Sequence, residues 1–237
     1  MSLPLNNALT YNLEVPSTGK QIKYRPFLIK EEKALMIAQQ SEDPKVMMDT
    51  LKDVIGSCAK GQLDTDALAT FDLEYIFTQI RAKSVGEIVE LTLACDTCTD
   101  EKAVAKVSID LTTVKVERDP EHISKIIVYD NVGIALKYPT IDLIKKLESA
   151  TASDIEQTFD IVTECIDYIY TDEEVFYAKD QTKSELLEFL NNMTTEQFSK
   201  VQKFFETMPK LKKEIEYSCP VCGAQHNKVL EGLTSFF

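Results

Sequence analysis

The chain has 237 residues, 44% of them hydrophobic, with 26 basic against 39 acidic side chains and a formal net charge of −13. That length holds one large domain, or a domain carrying a sizeable insertion, and the acidic excess disfavours the phosphate neutralisation that sequence-independent nucleic-acid binding requires. Met1 to Asn12 shows neither a charged n-region nor an apolar h-region, and no stretch approaches the roughly 20 apolar residues that span a bilayer, so a cytosolic chain that binds neither nucleic acid nor membrane is expected.

Leu13 and Val15, then Ile22 and Tyr24, alternate with polar residues on either side of Pro16-Ser17-Thr18-Gly19, which predicts a hairpin. Ser17 to Lys20 is no phosphate loop, because Glu14 stands where that motif needs glycine. Pro26 ends the second strand, and helices follow from Lys30 to about Gln40, Pro44 to Ala59 and Phe71 to Lys83. From Glu87 the apolar period changes to two, giving one strand through Val89, Leu91 and Leu93 and a return strand from Ala103 to Leu111. Ile126 to Val128 and Val132 to Leu136 read as two more strands around Asp130-Asn131.

Four helices are then predicted: Thr140 to Glu148, Ser153 to Tyr170 with a Ser153/Glu156 capping box, Ser184 to Asn191, and Thr195 to Met208. Past Pro209, Ile215 and Tyr217 lead as a strand into Cys219, and a return strand lies near Asn227 to Leu230. The expected fold is α+β: an N-terminal hairpin with helices, a small antiparallel sheet and an inserted helical block. Residues 1–139 form the first region, 140–208 the insertion, and 209–237 a C-terminal hairpin packing back on the first region.

Each of the two long hairpins ends in a Cys-x-x-Cys step, Cys95-Asp96-Thr97-Cys98 and Cys219-Pro220-Val221-Cys222. Zinc prefers four thiolates in a tetrahedron, and a two-residue spacer lets one tight turn present two sulfurs to the same ion. Cys95, Cys98, Cys219 and Cys222 are therefore expected to share one structural Zn2+, although the pairs lie much further apart than the roughly 15 to 20 residues of a compact zinc ribbon. Closure entropy grows only logarithmically with loop length, so metal binding can offset it. A redox dithiol at Cys219 and Cys222, disulfide-forming or vestigial pairs, and His226 in place of one cysteine are the competing readings. Cys58 and Cys165 continue apolar helical stripes and read as core thiols, while His122 sits in a charged stretch and is expected to face solvent.

A closed four-sulfur site leaves no position for water or substrate. The chain also carries no nucleophile elbow, no His-Glu-x-x-His and no glycine-rich dinucleotide loop, so neither an enzyme nor a small-molecule substrate is expected.

Pro16-Ser17-Thr18-Gly19-Lys20, followed by Tyr24-Arg25-Pro26-Phe27-Leu28 and Lys30-Glu31-Glu32-Lys33, resembles the baseplate proteins of T4-type contractile-tailed bacteriophages. The paired Cys-x-x-Cys steps and the ending Gly232-Leu233-Thr234-Ser235-Phe236-Phe237 are similar to that family too. The resemblance implies a baseplate hub or hub-proximal component, or a chaperone of hub assembly absent from the finished virion, that acts in the host cytoplasm and meets other baseplate and tail proteins. It implies no reaction. Arg25 with Phe27, of residue types that interfaces favour, and Phe236 with Phe237, two rings costly to leave in water, are the candidate partner contacts. The terminal rings also have the option of folding back on their own domain.

Overall fold

The structure, a computed structural model, describes residues 9–98, 100, 102–143 and 154–236. In chain order the elements are β1 (Tyr11–Glu14), β2 (Gln21–Tyr24), α1 (Ile29–Gln40), α2 (Pro44–Cys58), α3 (Thr70–Ser84), β3 (Ile88–Ala94), β4 (Val104–Asp110) and β5 (Lys115–Glu117). There follow β6 (Lys125–Tyr129), β7 (Val132–Leu136), α4 (Asp154–Glu164), β8 (Ile166–Tyr170), β9 (Val175–Tyr177), α5 (Lys183–Asn191) and α6 (Thr195–Thr207), and finally β10 (Lys210–Ser218) and β11 (Gln225–Glu231). The chain is α+β and forms two compact units, Met1–Glu117 with Lys210–Phe237, and Arg118–Pro209.

In the first unit β1 and β2 pair antiparallel with Leu13 opposite Ile22. Their turn closes through the Gly19 N–H on the Val15 carbonyl at 2.8 Å, with Gly19 at φ +69°, a backbone region closed to most side chains. Arg25 and Pro26 then lead the chain into α1, where the Glu31 carboxylate accepts from the Leu28 N–H (2.7 Å) at the helix start. Asp43 caps α2 by accepting from the Lys45 N–H at 2.9 Å, and Pro44 takes the first turn, where its missing N–H costs nothing. α3 is buried around most of its circumference, including Leu73, Ile76, Phe77 and Ile80, as suits a helix with neighbours on several sides.

β3 and β4 form one antiparallel hairpin, paired from Ile88/Asp110 to Ala94/Val104. β10 and β11 form a second, paired up to Ser218/Gln225, and β10 also pairs with β5 through Leu211 and Val116. The side chains they turn inward, among them Leu93, Ile109, Leu211, Ile215, Tyr217 and Leu230, make one core. The two knuckles therefore stand on hairpins that share a hydrophobic foundation.

The second unit is a four-stranded antiparallel sheet, order β6-β7-β8-β9, with Ile126, Val128, Ile134, Ile166 and Ile169 buried together with Leu186, Leu190, Val201 and Phe204 from α5 and α6. It begins at Arg118 and so includes β6 and β7 along with the helices. The helix expected over Ser153 to Tyr170 is shorter: α4 ends at Glu164, and 166–170 is strand β8. Ile166 and Ile169, three apart, fit a helical spacing and not the strand period of two; a register shift opposite β8 at Ala135/Leu136 accompanies the burial of both, and Tyr168 and Tyr170 complete the β-branched and aromatic composition that favours a strand. Within the helix expected at Thr140 to Glu148, residues 141–143 are helical and 144–148 lie outside the described residues, as does Ser153 of the capping box.

His122 is buried, not solvent-facing. Its ring stacks on Tyr138, lies tilted against Phe204 and hydrogen-bonds Thr207 and Tyr138. The charged neighbours that argued for exposure flank a single inward side chain.

Candidate metal centre

Each knuckle is built by a strand end followed by a tight turn. Cys95 comes directly after the last β3 residue and its N–H bonds the Ala103 carbonyl (2.8 Å), which extends the hairpin by one rung. Cys219 directly follows β10; its N–H bonds the Ala224 carbonyl (2.9 Å), and Gly223, at φ +73°, returns an N–H to the Cys219 carbonyl (3.0 Å). Backbone donors then converge on sulfur: Thr97 N–H on Cys95 Sγ at 3.3 Å, and Val221 and Cys222 N–H on Cys219 Sγ at 3.4 and 3.5 Å. Such donors favour the thiolate, the form that binds metals.

The ligand atoms of Cys95, Cys98, Cys219 and Cys222 all lie within 4.8 Å of one another. Cys95 Sγ is 3.8 Å from Cys222 Sγ, and Cys98 Sγ is 3.8 Å from Cys219 Sγ, so each close pair takes one sulfur from each hairpin. All four thiols are free, and their separations far exceed the roughly 2.05 Å of a disulfide.

A family model described as T4 bacteriophage base plate protein matches residues 8–237. The chain belongs to that family. No curated protein and no solved structure matches it. No described helix of this base plate protein is long and apolar enough to cross a membrane.

The donor set of this base plate family member fits zinc. A tetrahedron with zinc–sulfur bonds of about 2.3 Å has sulfur–sulfur edges of about 3.8 Å, the separation seen in both cross-hairpin pairs. The thiols themselves are electrostatically divided. For Cys95, desolvation opposes ionisation, but backbone hydrogen bonds at Thr97 and Cys98, with Cys219 and His226, outweigh it and bring the thiol down to about 5. Desolvation and the surrounding cysteines push Cys98 up to about 12. Backbone donors at Cys222 and Val221 lower Cys219 against desolvation, whereas Cys222 is raised by Cys219 and desolvation although a backbone hydrogen bond at Ala224 opposes this. Four sulfurs this close resist sharing four negative charges, and a divalent cation is the group that relieves that conflict.

Two residues stand around the sulfurs: Tyr217, which the sequence did not announce, and His226, which it placed at the knuckle. The Tyr217 hydroxyl donates to the Ala94 carbonyl at 2.9 Å, tying β10 to the residue before Cys95, and its ring stacks on His226 at 5.0 Å. His226 Nε2 lies 3.2 Å from Cys95 Sγ, beside the four-sulfur set as its neighbour. The one available signal for Tyr217 was its place two residues before a knuckle cysteine, on the inward side of a strand.

The other candidate residues are placed as follows. Arg25 is turned inward: its guanidinium bonds the Glu31 carboxylate (2.8 Å) and the Pro26 carbonyl (2.9 Å), so the fork that would recognise a partner is already engaged. Phe27 is half-buried, with its N–H on Ser84 Oγ at 2.9 Å. Phe236 is fully buried in the first unit's core with Ala82 and Leu230; its ring folds back out of water, the alternative that the sequence offered beside docking. Phe237 lies outside the described residues. Cys58 and Cys165 are fully buried, and burial pushes their thiols up to about 11 and about 12, as for inert core groups.

Proposed function

We propose that this chain is a non-enzymatic structural component of the contractile phage tail baseplate, at or near the hub. In this reading Zn2+ held by Cys95, Cys98, Cys219 and Cys222 staples it, and it works through contacts with other baseplate and tail proteins in the host cytoplasm and then in the virion. The observation that carries this reading is the convergence of four sulfurs from two hairpin tips within 4.8 Å. Bound there, zinc supplies structural cross-linking and no open coordination position for chemistry. The residues do the rest: Tyr217 and the hairpin rungs position the knuckles, and the backbone N–H groups at Thr97, Val221 and Cys222 offset thiolate charge. A thiol–disulfide role receives little support, because Cys219 follows a strand and enters a turn, with no helix N-terminus to activate it.

Elemental analysis of the purified protein tests the metal: about one zinc per chain is expected, falling to none in Cys219→Ser/Cys222→Ser, with a lower melting temperature. His226→Ala should keep the stoichiometry while weakening zinc affinity about 10- to 100-fold, the usual effect of removing an outer-shell donor. Full occupancy in the double serine variant would refute the staple. Mass spectrometry of purified virions tests the location; a chain required for tail assembly but missing from the particle would make it an assembly factor instead.

A further inference from the structure

β6 pairs with β7 and, among the described residues, has no strand on its other side. The Leu136 N–H bonds the Ser124 carbonyl at 2.8 Å, and the register places Lys125 opposite Ala135, Ile126 opposite Ile134 and Ile127 opposite Gly133. By antiparallel alternation, 124/136 and 126/134 are the hydrogen-bonded pairs, so the N–H and C=O groups of Lys125 and Ile127 point outward. Beside this edge runs a groove of about 370 Å³, bounded by β6, by Ile123 and by residues of α6. Ile123 and Ile127 are 60% and 62% exposed, so the groove has an apolar floor open to water.

Three lysines and one carboxylate line it: Lys125, Lys200, Lys203 and Glu121. Lys203 pairs with Glu121 at 2.6 Å. Lys200 Nζ instead bonds the Val128 carbonyl at 3.1 Å and reaches the Ile127 carbonyl at 3.5 Å, while Lys125 lies over the Tyr168 ring. Among the described residues neither Lys125 nor Lys200 has a carboxylate partner, in a chain whose net charge is −13. Lysines alone would guard a strand edge against self-association. Here they flank two bare isoleucines and outward backbone groups, and like charges would repel the same edge of a second copy.

We infer that this groove docks an extended acidic segment of another protein, which adds to the sheet as a fifth strand against β6. Its backbone pairs with Lys125 and Ile127, taking the carbonyl of Ile127 from Lys200, and its carboxylates meet Lys125 and Lys200 while its apolar side chains cover Ile123 and Ile127. The inference rests on the proposed function only in taking the partner to be a protein. Its test reads the second unit alone, so its failure would leave the zinc reading intact.

The probe is an eight-residue peptide of alternating glutamate and valine, fluorescently labelled and titrated onto the full-length protein at low ionic strength, with a lysine–valine peptide as the control. Expected are saturable binding of the acidic peptide alone, weakening with added salt, and slowed amide exchange at Lys125 and Ile127. Lys200→Glu/Lys203→Glu, at two exposed helix positions, should keep the circular-dichroism spectrum of the unsubstituted protein and weaken binding at least about tenfold. Absence of binding, equal binding of the cationic peptide, indifference to charge reversal, or unchanged exchange at Lys125 and Ile127 would overturn the inference.

Discussion

Asp72 shows how one side chain couples distant parts of the first unit. It is fully buried in the first turn of α3, where Oδ1 accepts from the Ser17 N–H at 2.9 Å and so fixes the β1–β2 turn, while Oδ2 has no hydrogen-bond partner among the described residues. Burial pushes its carboxyl up from the usual range, only partly opposed by the hydrogen bonds from Ser17 and Ala69. A folded-state pKa above the unfolded value means that stability is fullest below about pH 3.9 and is lost as pH rises through the folded value. Asp72→Asn keeps an acceptor for Ser17 and removes the buried charge. It should raise the first unit's stability by about 1 kcal/mol at pH 7, with the gain vanishing in acid, as read by melting curves across pH. An acidic residue in a helix's first turn looks from sequence like a dipole partner for the helix; only its distant neighbour in the fold reveals the buried tie.

At the level of elements, what could be read in advance follows the uniqueness of the apolar period. β3 and β4 alternate over seven residues each, so their period admits one reading, and the cysteine pairs at the hairpin tips followed from it. β8 was lost because its two buried isoleucines are three apart, and β5 and β9 because three residues carry no period at all. The burial of His122 was illegible for another reason: it depends on Tyr138 and α6, which close over it from elsewhere in the chain. Thr207 Oγ1 donates to the Lys203 carbonyl at 2.7 Å, so His122 Nδ1 donates to Thr207, and in the neutral ring that burial favours Nε2 accepts from the Tyr138 hydroxyl. Burial, reinforced by the Arg118 charge, lowers its pKa. A depressed folded pKa gives a stability contribution that is complete above about pH 6.5 and is lost as pH falls through the folded value. The second unit should therefore melt at progressively lower temperature as pH drops from 7 to 5, and His122→Gln should flatten that dependence while lowering stability at pH 7.

Across the whole molecule, the first unit is assembled from two chain segments separated by the excursion from Arg118 to Pro209. Among the ties that join those segments are the β5–β10 pairing, the shared core that receives Phe236, and the four-cysteine set that draws one hairpin tip from each. The cysteine spacing made the last tie visible in the sequence, whereas the burial of Phe236 depends on a core formed by both segments and could not be decided from a chain end alone. These ties act on the same closure, so removing two should cost more than the unit can bear. Phe236→Ala should cost about 3–5 kcal/mol through its cavity, and chelation should remove a contribution of several kcal/mol, each a large part of a typical 5–15 kcal/mol. With either change alone, amide exchange should quicken in β3, β4, β10 and β11 while the unit stays folded. With both, those amides should exchange as in an unfolded chain while β6, β7 and β8 keep their protection, since that sheet has its own core. A chelated Phe236→Ala variant whose β10 amides remain protected would show that β5–β10 pairing and the remaining core suffice, and that the metal is no part of what closes the fold.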